Sequence, residues 1–182
     1  MTAMKQIEEN LRKEAKRLLE CKEVSVVLAY GQGYADNHPQ PCAARTPADA
    51  ENLIFNEYCT HNLARYLTRY PPRTRIAVAV KGADSRAVVQ LIQEDKVRRE
   101  DLVLLGIPVV GMKSPKTGEA VDENASCPMA NPILYDILLG EEIPGGGDSS
   151  PYAVLAELEA MDQEARWAFW KKEFDKCVRC YA

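Results

Sequence analysis

The residues with the clearest chemistry stand at Cys177-Val178-Arg179-Cys180, two thiols three positions apart, so both thiolates can grip one metal centre from a single turn. Zinc and four-iron clusters each take about four protein ligands. The pair is therefore half a site, and it is followed only by Tyr181-Ala182. The spacing opens a C-x-x-C-x-x-C series, and the expectation is a cluster whose remaining ligands belong to a longer natural chain, cut inside the motif. Zinc, a redox-active dithiol and two unpaired surface cysteines stay open as alternatives. Redox dithiols usually sit at a helix N-terminus, which lowers the thiol pKa, whereas this pair follows a helix.

A second candidate is Lys81-Gly82-Ala83-Asp84-Ser85-Arg86, placed where a strand hands over to a helix. Backbone N–H groups, a hydroxyl and two cations converge there, which suits a phosphate or another anion. An ordinary turn capped by Asp84 or Ser85 has the same composition, because the run is neither a Walker loop nor a G-x-G-x-x-G fingerprint. Gly31-Gln32-Gly33 lacks the third glycine and reads as a turn. Gly106-Ile107-Pro108-Val109-Val110-Gly111 closes a buried strand, as a rigid turn or as part of the carboxyl edge where α/β sheets bind ligands. Cys21, Cys42 and Cys59 read as small buried hydrophobes, while Cys127, before Pro128, is the other cysteine of interest. His38 and His61 stand alone, and no catalytic acid or base is assigned.

The elements that must position these groups follow from hydrophobic period. Ile7, Leu11, Ala15, Leu18 and Leu19 share one helical face between charged residues. Val24–Tyr30 is a β-branched apolar run that reads as a buried strand, and Ile76–Val80 and Leu102–Ile107 are unbroken apolar runs, which are strands buried on both faces. Residues 36–45, with Pro39 and Pro41, read as a loop. Thr46-Pro47-Ala48-Asp49 starts a short helix that ends before Leu53, and Leu53–Cys59 reads as a short strand. Thr60 is expected to cap a helix carrying Leu63, Tyr66, Leu67 and Tyr70, stopped by Pro71-Pro72. Val88, Leu91 and Ile92 give the helix after Ser85 its apolar face, completing a β-α-β unit with a right-handed crossover. Residues 113–131 form a surface excursion, and 133–139 a short helix or strand.

Ser150-Pro151 is a helix start, and Leu155, Leu158, Ala165, Trp167, Phe169, Trp170 and Phe174 extend that helix to the terminal cysteines. The fold class is therefore α/β: a three-layer sandwich with a mainly parallel sheet, then a long C-terminal helix. The domain reading is residues 1–143 for the α/β body, 144–150 for a hinge or linker, and 151–182 for the helix entering the truncated cluster motif.

The totals exclude several classes. The chain has 182 residues, room for one packed domain. Its 46% apolar and 27% charged residues are ordinary for a globular protein. A formal charge of -4 argues against nucleic-acid binding, which needs a basic face. No apolar run reaches the roughly 18 residues that span a bilayer, and the charged N-terminus is unlike a signal peptide. Six cysteines without an export signal point to the cytoplasm and to metal or redox use of a clustered pair.

The runs RIAVAVKGADSRAVVQLI, REDLVLLGIPVVGM and RWAFWKKEFDKCVRCYA resemble the coenzyme F-420 hydrogenase/dehydrogenase beta-subunit family and its relatives with C-terminal ferredoxin motifs. The similarity covers most of the chain from about Val24 onward. It implies an electron-transfer subunit of an iron-sulfur flavin or deazaflavin oxidoreductase, working with other hydrogenase, dehydrogenase or reductase subunits. It further implies that Lys81 to Arg86 line a flavin or nucleotide pocket, FAD or another flavin, and that Cys177 and Cys180 ligate a 4Fe-4S cluster in the full-length protein only. Where relatives often carry a cysteine after the G-x-P turn, this chain has Val109. The alternative is a non-catalytic docking module that attaches a cluster domain to a redox complex.

Overall fold

The computed structural model describes residues 3–121, 130–144 and 153–176. Cys127, the 145–150 part of the linker, Ser150-Pro151, Cys177 and Cys180 lie outside the described residues.

Helix α1 (Ala3–Glu20) buries Ile7, Leu11, Ala15, Leu18 and Leu19, the face that its period marks out. It stops without a glycine: Lys22 takes the left-handed conformation at φ 55°, and the Glu23 N–H returns to the Leu18 carbonyl at 3.0 Å. Strands β1 (Val26–Gly31), β4 (Ile76–Val80) and β5 (Leu102–Gly106) are buried at every position. They pair in parallel, β1 with β4 and β4 with β5, and β5 continues in parallel to the two-residue β6 (Ile137–Leu138). Unbroken apolar strands demand cover on both faces. Helix α1 supplies one layer, while α2 (Gly82–Gln93) and the 3-10 segment Leu63–Arg69 pack together on the other. The α/β architecture expected from the sequence is the one observed.

Several local expectations are corrected. Within the 36–45 stretch, Gln40–Ala44 is strand β2, antiparallel to β1 and at the edge in the order β2-β1-β4-β5-β6. Pro41 is tolerated because an edge strand has a row of N–H groups that no neighbour needs. The helix after Thr46 is a single 3-10 turn, Asp49–Asn52, although the Thr46 hydroxyl does accept from the Asp49 N–H at 3.3 Å. Only Leu53–Ile54 of the next run is strand, β3, paired with Tyr30 and Gly31. The 63–69 helix is 3-10 and is capped by Asn62, whose side chain accepts from the Ala64 N–H, not by Thr60. Tyr70 turns extended (φ -97°, ψ 145°), as a residue before proline must.

The C-terminal helical segment is divided into α3 (Ala153–Ala160) and α4 (Gln163–Asp175). Asp162 breaks it by accepting from the Ala165 N–H at 2.8 Å, an N-cap inside the expected helix. Among the described residues, the core cluster runs from Ile7 to Leu139 and takes none from α3 or α4. No helix among the described residues is long and apolar enough to cross a membrane.

Candidate functional site

Strand β4 ends at Val80, and the chain enters α2 at Lys81, whose extended backbone (φ -81°, ψ 178°) makes it the N-cap residue. Neither Asp84 nor Ser85 holds that place. Asp84 lies one turn in, and its Oδ2 accepts from the Lys81 backbone N–H at 3.3 Å. The same oxygen accepts from Lys81 Nζ at 2.7 Å, and both residues are buried. Nζ also donates to the His61 carbonyl at 3.0 Å and to the Tyr30 hydroxyl, and it stands 4.9 Å from the Tyr30 ring centroid. The Tyr30 hydroxyl donates to the same His61 carbonyl at 2.6 Å. One ammonium thus ties the carboxyl ends of β1 and β4 to the loop before Leu63.

Ser85 and Arg86 also bond back to the turn. Ser85 Oγ donates to the Gly82 carbonyl at 2.8 Å and accepts from the Ile133 N–H at 3.0 Å, joining α2 to the segment that leads into β6. Arg86 donates to the Gly82 carbonyl at 2.9 Å. Ala83 is the exposed member of the run.

Burial sets the proton affinities. It pushes the Tyr30 phenol well above its ordinary range, with the Asp84 carboxylate adding to the effect, so the hydroxyl stays a donor. Cys59, buried beside Asn56, is pushed up to about 12 by burial. It is an inert thiol at neutral pH. The His61 ring is lowered by burial first, then by the nearby Lys81 and Arg65 cations.

This geometry is a clamp. A flavin phosphate approaching Ala83 would meet the first turn of α2, but not the Lys81 ammonium, whose charge is met by Asp84. The run as folded does not fit a cationic phosphate cradle built on Lys81. Tyr30 and His61, which complete the cluster, were not singled out by the sequence as partners of Lys81. The one available signal was a phenol closing an otherwise apolar strand.

For a metal, the described residues contain no group of three or more His, Cys, Asp or Glu able to hold an ion. Cys21 is exposed, Cys42 half-buried and Cys59 buried, each as a free thiol. Residues Lys171, Lys172 and Lys176 of the segment preceding Cys177 line a cleft with Ser114 and Thr117. On α4, Trp167, Trp170 and Phe174 are exposed, at 65%, 42% and 66%. A separate cleft of about 630 Å³ opens between α1 and the carboxyl ends of β5 and β6.

No protein-family model matches the chain. No curated protein matches it in sequence.

Proposed function

We propose that this chain is the α/β portion of an electron-transfer subunit of an iron-sulfur flavin or deazaflavin oxidoreductase. The carrying observation is the C-x-x-C pair directly after an exposed, lysine-bearing helix. Two thiolates at that spacing can ligate one metal centre from a single turn. The resemblance of the 75–92, 99–112 and 166–182 runs to the coenzyme F-420 hydrogenase/dehydrogenase beta-subunit family supports the same reading. In it the cluster and flavin would supply the redox chemistry, and the chain would supply ligation, orientation and a protein surface. Other redox subunits are its partners, and the cytoplasm its compartment.

A second reading has its own observation. Because Lys81 and Asp84 neutralise each other in the clamp, the turn favours a docking module that carries a cluster domain without binding flavin. Flavin titration separates the two. The oxidoreductase reading expects saturable binding, weakened by Ala83→Glu at the exposed end of the α2 N-terminus. The docking reading expects none.

The cluster is tested on the full-length product of the reading frame, purified without oxygen. Iron, acid-labile sulfide and a broad visible absorbance bleached by dithionite are expected, and Cys177→Ser with Cys180→Ser removes them. A colourless, iron-free preparation would end both readings.

A further inference from the structure

Between strand β2 and the 3-10 segment Leu63–Arg69 lies a cleft that shares no residue with the Lys81 clamp. The 3-10 segment packs on β4 and α2, and an opening of about 640 Å³ separates it from the β1–β2 side of the sheet. That size falls within the roughly 300–1,000 Å³ usual for small-molecule sites. Buried Leu28 and Leu63, with half-buried Tyr66 and Tyr70, give the lining an apolar and aromatic character.

Charge selects what can enter. From Tyr58 to Ala83 the chain has no Asp or Glu, yet it carries Arg65, Arg69, Arg73, Arg75 and Lys81 in a protein of formal charge -4. Arg69, from this stretch, and Arg45, which follows β2, are the charged residues lining the cleft, and no Asp or Glu joins them among the described residues. The Cys42 thiol at the same cleft is raised above its ordinary range, first by burial, so it stays neutral. Asp49, the acid nearest to Arg45 in sequence, lies outside the lining, and its Oδ2 accepts from the backbone N–H groups of Arg45 and Thr46 at 2.9 and 2.8 Å.

Arg69 is positioned as well as charged. Its guanidinium carbon stands 4.7 Å from the Tyr66 ring centroid, and that of Arg65 stands 5.7 Å from the same centroid. A guanidinium held over an aromatic ring keeps its N–H donors for other acceptors. Neither the Arg45 nor the Arg69 guanidinium donates to an acceptor among the described residues. Carboxylates and phosphates are the complement of such donors.

We propose that this cleft binds a small aromatic oxyanion, with its carboxylate or phosphate on Arg45 and Arg69 and its ring against Tyr66, Tyr70 and Leu28. The site requires neither a cluster at the terminal cysteines nor a flavin at the α2 turn.

The test is isothermal titration calorimetry of the whole chain at pH 7 with 2-naphthoate, 2-naphthyl phosphate, uncharged 2-naphthol and inorganic phosphate. One-to-one saturation by a naphthyl anion is expected, about ten-fold or more tighter than either 2-naphthol or inorganic phosphate. The tighter of the two naphthyl anions identifies the head group. Arg45→Gln and Arg69→Gln, at exposed positions, each weaken the naphthyl anions by about ten-fold and leave 2-naphthol unchanged. Ala43→Trp, exposed on the edge strand, obstructs the cleft and weakens every naphthyl compound. Arg73→Gln, in the same arginine-rich run but outside the lining, leaves all affinities as they were. Circular dichroism establishes that each variant is folded, and the two glutamine variants carry the test if Ala43→Trp misfolds. Absence of saturable anion binding, 2-naphthol binding as tightly as the anions, anion affinity unchanged in folded Arg45→Gln and Arg69→Gln, or an equal loss in Arg73→Gln overturns the proposal.

Discussion

At the scale of single residues, the Lys81 clamp is the most consequential feature. Breaking a buried ion pair by removing one partner costs about 3–5 kcal/mol, because the other charge is left without compensation. Lys81→Met strands the Asp84 carboxylate, which is 2% exposed, and removes the donor to Tyr30. It is expected to lower stability by about that amount in urea titration, whereas Lys81→Met with Asp84→Leu recovers much of the loss. A double variant no more stable than Lys81→Met alone would show that the pair is not the source. The sequence marks out Lys81 and Asp84 as members of one turn, for anion binding or capping, and not as partners of each other. Sequence reasoning could not find Tyr30 and His61, which lie 51 and 20 residues from Lys81, because sheet pairing and not local spacing brings them in.

His61 adds a dependence on pH. Its folded-state pKa lies below the ordinary 6.5 because burial and two cations disfavour the charged ring. The unfolded chain therefore binds the extra proton first as pH falls. The stability associated with neutral His61 is complete above the unfolded value and is lost as pH falls through the folded one. Between about pH 7.5 and pH 5.5 the native protein should lose more stability than His61→Gln does, since the glutamine variant keeps the anchoring backbone carbonyl without the titrating ring. Parallel urea midpoints across that window would contradict the assignment.

Elements were legible in proportion to how uniform their surroundings are. Helix α1 and strands β1, β4 and β5 each meet one consistent environment, so period and apolar content sufficed. Strand β2 lies at an edge, where mixed exposure and Pro41 imitate a loop. The 63–69 segment satisfies the i, i+3 spacing of Leu63 and Tyr66 as a 3-10 helix just as an α-helix would. Within the C-terminal segment, apolar residues look like a buried face, yet α4 holds Trp167, Trp170 and Phe174 in the open. The chain contains two tryptophans, both on this helix, so tryptophan fluorescence reports on it alone. Emission like that of tryptophan in water is expected in the native state, with efficient acrylamide quenching that changes little in urea. Blue-shifted, shielded emission would mean that a partner or a second copy covers the helix.

At the scale of the molecule, the body and the cysteine-bearing segment carry separate burdens. The core cluster is complete by Leu139, and β6 is pinned independently of later residues: the Asp136 carboxylate accepts from the Leu104 N–H at 2.7 Å and pairs with Arg99 at 2.5 Å. The Asn131 side chain then closes the strand's exit by bonding both the N–H and the carbonyl of Ile143, at 2.9 and 2.7 Å. A chain ending at Pro144 should therefore unfold in one cooperative step, with a melting temperature within about 4 °C of the longer protein. If it does, α3 and α4 are appendages whose aromatic surface and terminal thiols are free to serve a partner or a cluster. Loss of cooperative melting would instead show that these helices complete the fold, and the exposed tryptophans would then need a structural explanation. The same separation makes the redox reading sharper. Cys177→Ser should abolish iron incorporation while leaving the unfolding midpoint of the α/β body unchanged, because the core cluster among the described residues ends at Leu139.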